Sequence, residues 1–109
     1  MESAGMRTFS PKDATETVLL TWDFTLDLPA GVTLTGTPSI TLAVVSGVQD
    51  SNIGTMTVGS PQLSGNQVLQ LITAGISGNS YSAVAKCNAS DGEVFAIGGT
   101  IAITPAWRQ

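Results

Sequence analysis

Apolar and polar residues alternate along this chain, and they do so most clearly from Val18 onward. Val18, Leu20, Trp22, Phe24, Leu26 and Leu28 fall on one phase. Thr17, Thr21, Asp23, Thr25 and Asp27 fall on the other, interrupted only by Leu19. A period of two over this length predicts a strand with one buried and one wet face. Trp22 and Phe24 are its expected core anchors. Pro29-Ala30-Gly31 ends it. Further strands are predicted over Val32–Leu34 and Ile40–Val45, separated by a turn at Gly36-Thr37-Pro38, and over Thr55–Val58. Ser46 to Gly54 reads as a polar connection containing Asp50. Turn signals at Gly59-Ser60-Pro61 and Ser64-Gly65-Asn66 precede a strand over Gln67–Thr73, in which Val68 and Ile72 compete with Leu69 and Leu71 for the inward face. Tyr81–Ala89, Glu93–Ile97 and Thr100–Thr104 complete the set, with a turn at Ser90-Asp91-Gly92 and a bulge expected at Gly98-Gly99.

One stretch selects among all-β folds. In Ala74-Gly75-Ile76-Ser77-Gly78-Asn79-Ser80-Tyr81 a small loop delivers a Tyr into the first position of an alternating strand. That is the pattern of a tyrosine corner, whose ring enters the core while its hydroxyl bonds back to upstream backbone. About seven short strands, frequent turns and no helical period give an all-β chain, an immunoglobulin/fibronectin-III-like β-sandwich, with a small closed barrel as the alternative. Trp22, Phe24 and Tyr81 are the predicted structural core. Residues 1–10 read as a flexible N-terminal arm, 11–104 as the sandwich and 105–109 as a C-terminal tail.

Composition narrows the function. The 109 residues suit one domain. Only 11% are charged, well under the roughly 25% of ordinary domains. Between Asp27 and Lys86 the single charge is Asp50. Such a surface is easily desolvated, which fits packing against other proteins or an extracellular setting. The net charge is −4, and Arg7, Lys12, Lys86 and Arg108 are scattered, so no phosphate-tracking groove for nucleic acid is expected. No apolar run reaches membrane-spanning length, and Met1–Lys12 lacks the apolar core of a secretory signal. The expectation is therefore a chain made in a cytoplasm. Asn88-Ala89-Ser90 is then a chance match to the glycosylation sequon.

Candidate chemistry is sparse. Without His there is no Ser-His-Asp triad, and one Cys with no His offers no zinc set. Cys87 lies on the phase of Tyr81 and reads as a small buried hydrophobe. Asp23 and Asp27, four strand residues apart, would stand about 13 Å apart, too far for paired glycosidase carboxylates. Asp91 and Glu93 flank a turn Gly but fall short of a Ca²⁺ ligand set. No catalytic, cofactor-binding or metal residue is predicted, and the chain is not expected to be an enzyme. Arg7, Lys12, Trp107 and Arg108 are the interface candidates, the last two as tail anchors.

Pro11-Lys12-Asp13, Thr21-Trp22-Asp23-Phe24-Thr25, Gly31, Gly75-Ile76-Ser77-Gly78-Asn79-Ser80-Tyr81 and Ser90-Asp91-Gly92 occur in this order. The series resembles small bacteriophage and prophage virion proteins of immunoglobulin-like fold, which carry a Lys-Asp-Pro entry, a Gly-x-x-Tyr corner and a Ser-x-Gly turn. Here the Pro precedes Lys-Asp, and Trp precedes Asp in the first strand. The resemblance implies a virion structural role in head decoration, head stabilisation or the neck. It further implies contacts with capsid, connector or tail proteins, as a homo-oligomer. A carbohydrate-binding module of a tail fibre or adhesin is the alternative, with Trp107 as its exposed ring.

Overall fold

The computed structural model describes residues 7–9 and 11–104, and of Arg7 and Thr8 the backbone alone. Two sheets pack face to face. The larger contains β4 (Leu34–Ser46), β7 (Ser80–Ala89) and β8 (Val94–Thr104), with β1 (Arg7–Thr8) and β2 (Lys12–Asp13) both running parallel to the outer edge of β8. The smaller is antiparallel, in the order β3 (Val18–Asp23), β6 (Gln67–Ile72), β5 (Thr57–Ser64). A short 3₁₀ turn, Ile53–Met56, leads into β5, so the strand expected over Thr55–Val58 begins only at Thr57. Counting β1 and β2 as one broken edge strand gives the seven-stranded all-β sandwich.

The core forms where the two inner faces meet. Leu20, Trp22, Val68 and Ile72 come from the small sheet, and Tyr81, Ala83, Ala85, Cys87, Ile97, Ile101 and Ile103 from the large one. The run of small residues on β7 leaves room for the indole of Trp22, whose Nε1–H donates to the Ala83 carbonyl at 3.2 Å. This bond crosses between the sheets and satisfies the buried donor. In β6 the inward face is Val68, Gln70 and Ile72, so Leu69 and Leu71 look outward.

The sequence-based expectations need correction at five further places. The first strand stops at Asp23, not Leu28. The Asp23 carboxylate accepts the Thr25 N–H at 2.9 Å, and the Phe24 carbonyl accepts from both Asp27 and Leu28, which coils the chain into a turn. Phe24 remains buried, whereas Leu26 is 89% exposed despite sharing its phase. Second, Val32–Leu34 and Ile40–Val45 are not two strands flanking a turn. Leu34–Ser46 is one strand, and Gly36-Thr37-Pro38 is an irregularity in which four steps of β4, Thr35 to Ser39, match two of β7, Asn88 to Lys86. Third, Gly59-Ser60-Pro61 is likewise a bulge within β5, between Val58 and Gln62. The Gln70 side-chain amide braces it by donating to the carbonyls of Val58 at 3.0 Å and Leu71 at 2.9 Å.

Fourth, Gly98-Gly99 is no bulge, because β8 keeps register with Val84 and Ala83 of β7 through both residues. Gly99 is required for a different reason: a Cβ there would collide with the ring of Phe9. Fifth, Arg7 to Phe9, expected within a flexible arm, belong to the sandwich, and the rest of residues 1–10 lies outside the described residues. Arg7 and Thr8 already pair with Gly99 and Thr100. Phe9 donates its N–H to the Thr100 carbonyl at 2.8 Å and meets Trp22 edge to face at 5.3 Å. An aromatic pair of this geometry adds about 0.5–1.5 kcal/mol beyond its burial.

Candidate functional site

At one end of the sandwich, two loops meet around Tyr81. Its ring is fully buried, and its hydroxyl uses all three bonding positions. It accepts from the Ile76 N–H at 3.0 Å and the Asn79 amide at 3.3 Å, and donates to Asp50 Oδ2 at 2.7 Å. The first of these bonds is the backbone contact of a tyrosine corner. Burial pushes the Tyr81 hydroxyl above its ordinary pKa.

Asn79 fixes the second loop. Its Nδ2 donates to the Val48 carbonyl at 2.7 Å, while its Oδ1 accepts the Val48 N–H at 3.0 Å. Gly47 is needed beside it, since φ is +112° and a Cβ would run into the Asn79 side chain. Asp50 is thereby delivered to the corner. Its Oδ1 accepts the Asn52 N–H at 2.9 Å, so both carboxylate oxygens are oriented.

The facing loop is pinned from below by Lys12. Its Nζ donates to the carbonyls of Ala74 at 2.7 Å and Asp13 at 2.8 Å. Ala74 is the one described non-glycine residue at positive φ, 58°. The next residue, Gly75, has φ +97°, and a Cβ on it would stand 2.8 Å from Ile103. Lys12 is 0% exposed, so it is not an interface residue. Its ammonium is enclosed by the carbonyls it bonds, and burial lowers its pKa against the opposing pull of Asp13 and Glu16. Trp107, Arg108 and the side chain of Arg7, the other interface candidates, lie outside the described residues.

Between the loops is a pocket of about 400 Å³ lined by Asp50, Asn52, Thr55, Ala74, Gly75 and Ile76. The Thr55 hydroxyl donates to the Asn52 carbonyl at 2.7 Å and keeps its lone pairs. The sequence marks Asp50 as an isolated charge and Tyr81 as a corner, but not that the two bond. Asn79 is missed as a site residue. Its signal is faint, an Asn two residues before the corner Tyr, and the partner backbone is 31 residues away.

The remaining candidates do not assemble. Cys87 is buried, its Sγ 3.3 Å from the Thr35 carbonyl, and burial raises its pKa. Asp91 accepts the Glu93 N–H at 3.1 Å, and the carboxyl of Glu93 is raised by its bond to Asp91. Asp23 and Asp27 do not share a strand face, because Asp27 lies in the turn beyond β3. Among the described residues no group of three or more His, Cys, Asp or Glu side chains is placed to hold a metal ion. No helix there is long and apolar enough to cross a membrane.

Compared with protein-family models and with curated proteins, the chain matches none.

Proposed function

We propose that this protein is a bacteriophage virion accessory, a head-decoration or head–tail neck component that works by protein–protein contact and not by catalysis. The observation that carries the reading is the outer face of the β3–β6–β5 sheet. Leu19, Leu71 and Val58 are register partners across the three strands and are 53%, 41% and 41% exposed. They form an apolar row from one edge of the sheet to the other. Thr17, Thr21, Gln62 and Thr73 surround it, and Asp23 is the one charge on that face. An apolar centre with a polar rim of few charges is the anatomy of a protein interface. The virion context rests on the resemblance of the motif order to that of phage immunoglobulin-like proteins.

The carbohydrate-binding alternative gains no support among the described aromatic residues. Trp22, Phe24 and Tyr81 are buried, and Phe9 and Phe95 are packed against the core.

The test is retention by purified phage capsids or connectors. The wild-type chain is expected to co-sediment with one of them, and Leu71→Lys, a surface substitution, is expected to weaken retention without lowering stability. Equal retention of the variant, or no retention of the wild type, would overturn the reading.

A further inference from the structure

Asp50 is the single charge between Asp27 and Lys86, a stretch that supplies all of β4, β5 and β6. That charge is the one ionisable side chain among the described residues that line a pocket between the two loops. Its carboxylate is held by the Tyr81 hydroxyl at 2.7 Å and the Asn52 N–H at 2.9 Å. Each oxygen therefore retains a lone pair for an incoming donor. Both loops that form the walls are anchored, one by the two bonds of Asn79 to Val48 and the other by Lys12 beneath Ala74. The carboxylate is thus oriented before any ligand arrives, which lowers the ordering cost of binding.

We infer that this pocket is a socket for a guanidinium or ammonium group, presented as an Arg or Lys side chain by the partner protein. The identity of that donor as a partner chain rests on the reading given under Proposed function. A planar guanidinium matches the two oxygens of one carboxylate, and no other carboxylate among the described lining residues competes for it. The free carboxamide of Asn52 and the Thr55 oxygen add acceptors at the rim. A saccharide is the less suitable occupant, because none of the described lining residues is an aromatic ring on which a sugar stacks. Lys12 lies behind the Ala74 carbonyl, so its cation is nearby. It is turned away from the pocket's acceptors by its bonds to Ala74 and Asp13. A single charge of this kind contributes to register and partner choice more than to raw affinity.

The experiment is an amide-resolved NMR titration of the full chain with N-acetyl-arginine amide, with a neutral methyl glycoside as comparison, each at low and high salt. Arginine amide is expected to shift the amides of Asn52, Thr55, Gly75 and Ile76, weakly and less so in high salt. Asp50→Asn should abolish these shifts. So should Asn52→Arg, an exposed change that sets an intramolecular cation beside Asp50 without altering the carboxylate. Salt-independent shifts with the glycoside, or no shift with arginine amide, would overturn the socket. In the capsid-retention assay, Asn52→Arg is expected to weaken binding about tenfold. If arginine amide binds but Asn52→Arg is retained like wild type, the partner-side-chain claim fails while the site stands. If arginine amide binds and the wild type is not retained at all, it is the virion reading that fails.

Discussion

The hydroxyl of Tyr81 joins two loops that are distant in sequence, so removing one atom there tests the whole corner. Tyr81→Phe keeps the ring in the core but strips the acceptor from the Ile76 and Asn79 N–H groups and the donor from Asp50. Leaving buried donors unpaired costs about 1–3 kcal/mol, and urea unfolding should show a loss of that size. The same residue sets an alkaline limit. Its pKa in the fold lies above the ordinary 10.0, so the folded state holds the proton longer than the unfolded chain. Stability from this source is complete below about pH 10 and declines as pH rises through the folded value. Lys12 has the opposite sign. Its pKa is lowered below 10.5, so between the folded value and 10.5 the unfolded chain binds more protons, and stability rises with pH across that window. Unfolding measured from pH 8 to pH 12 should therefore show a smaller high-pH decline in Tyr81→Phe, the rest coming from the raised Cys87 thiol, and a smaller rise below pH 10.5 in Lys12→Met.

At the scale of elements, β3 shows how a periodic pattern outruns the strand that carries it. Phe24 and Leu26 share a phase, yet the Asx turn at Asp23 separates their environments. Phe24→Ala should cost about 3–5 kcal/mol and Leu26→Ser less than about 0.5 kcal/mol, read by thermal or denaturant unfolding. The alternation of apolar residues was legible because it repeats locally. The strand's end was not, because it depends on a carboxylate turning back onto its own backbone. Gly98-Gly99 illustrates a second limit. Two adjacent glycines suggest a bulge, but the demand at Gly99 comes from Phe9, ninety residues earlier, in a segment without any period. Gly99→Ala should destabilise by about 1–3 kcal/mol through overpacking. A double-mutant cycle with Phe9→Ala should show strong coupling, since the smaller side chain relieves the collision. The corner itself was readable from Gly75 to Tyr81, whereas Asn79's hold on Val48 and Asp50's bond to Tyr81 join positions that no local pattern links.

For the whole molecule, the distribution of charge and exposed apolar surface matters more than any one contact. Apart from Asp50 in the loop after β4 and Arg108 near the C-terminus, acids and bases gather around the β1–β2 entry, at the end of β3 and in the turn after it, on β7 and in the turn after it, while β4, β5 and β6 carry none. The flat face of a three-stranded sheet is small beside the roughly 1,200–2,000 Å² buried in stable complexes. A single copy on a single partner is thus expected to bind weakly, and many copies on a symmetric surface firmly, through the gain in effective concentration. The measurement that tests this most directly is the native mass of the purified chain by light scattering, alone and mixed with phage capsid shells. The account predicts a small species alone and co-elution with the megadalton shell when mixed. A chain of unchanged mass that ignores shells, connectors and tails alike would contradict it.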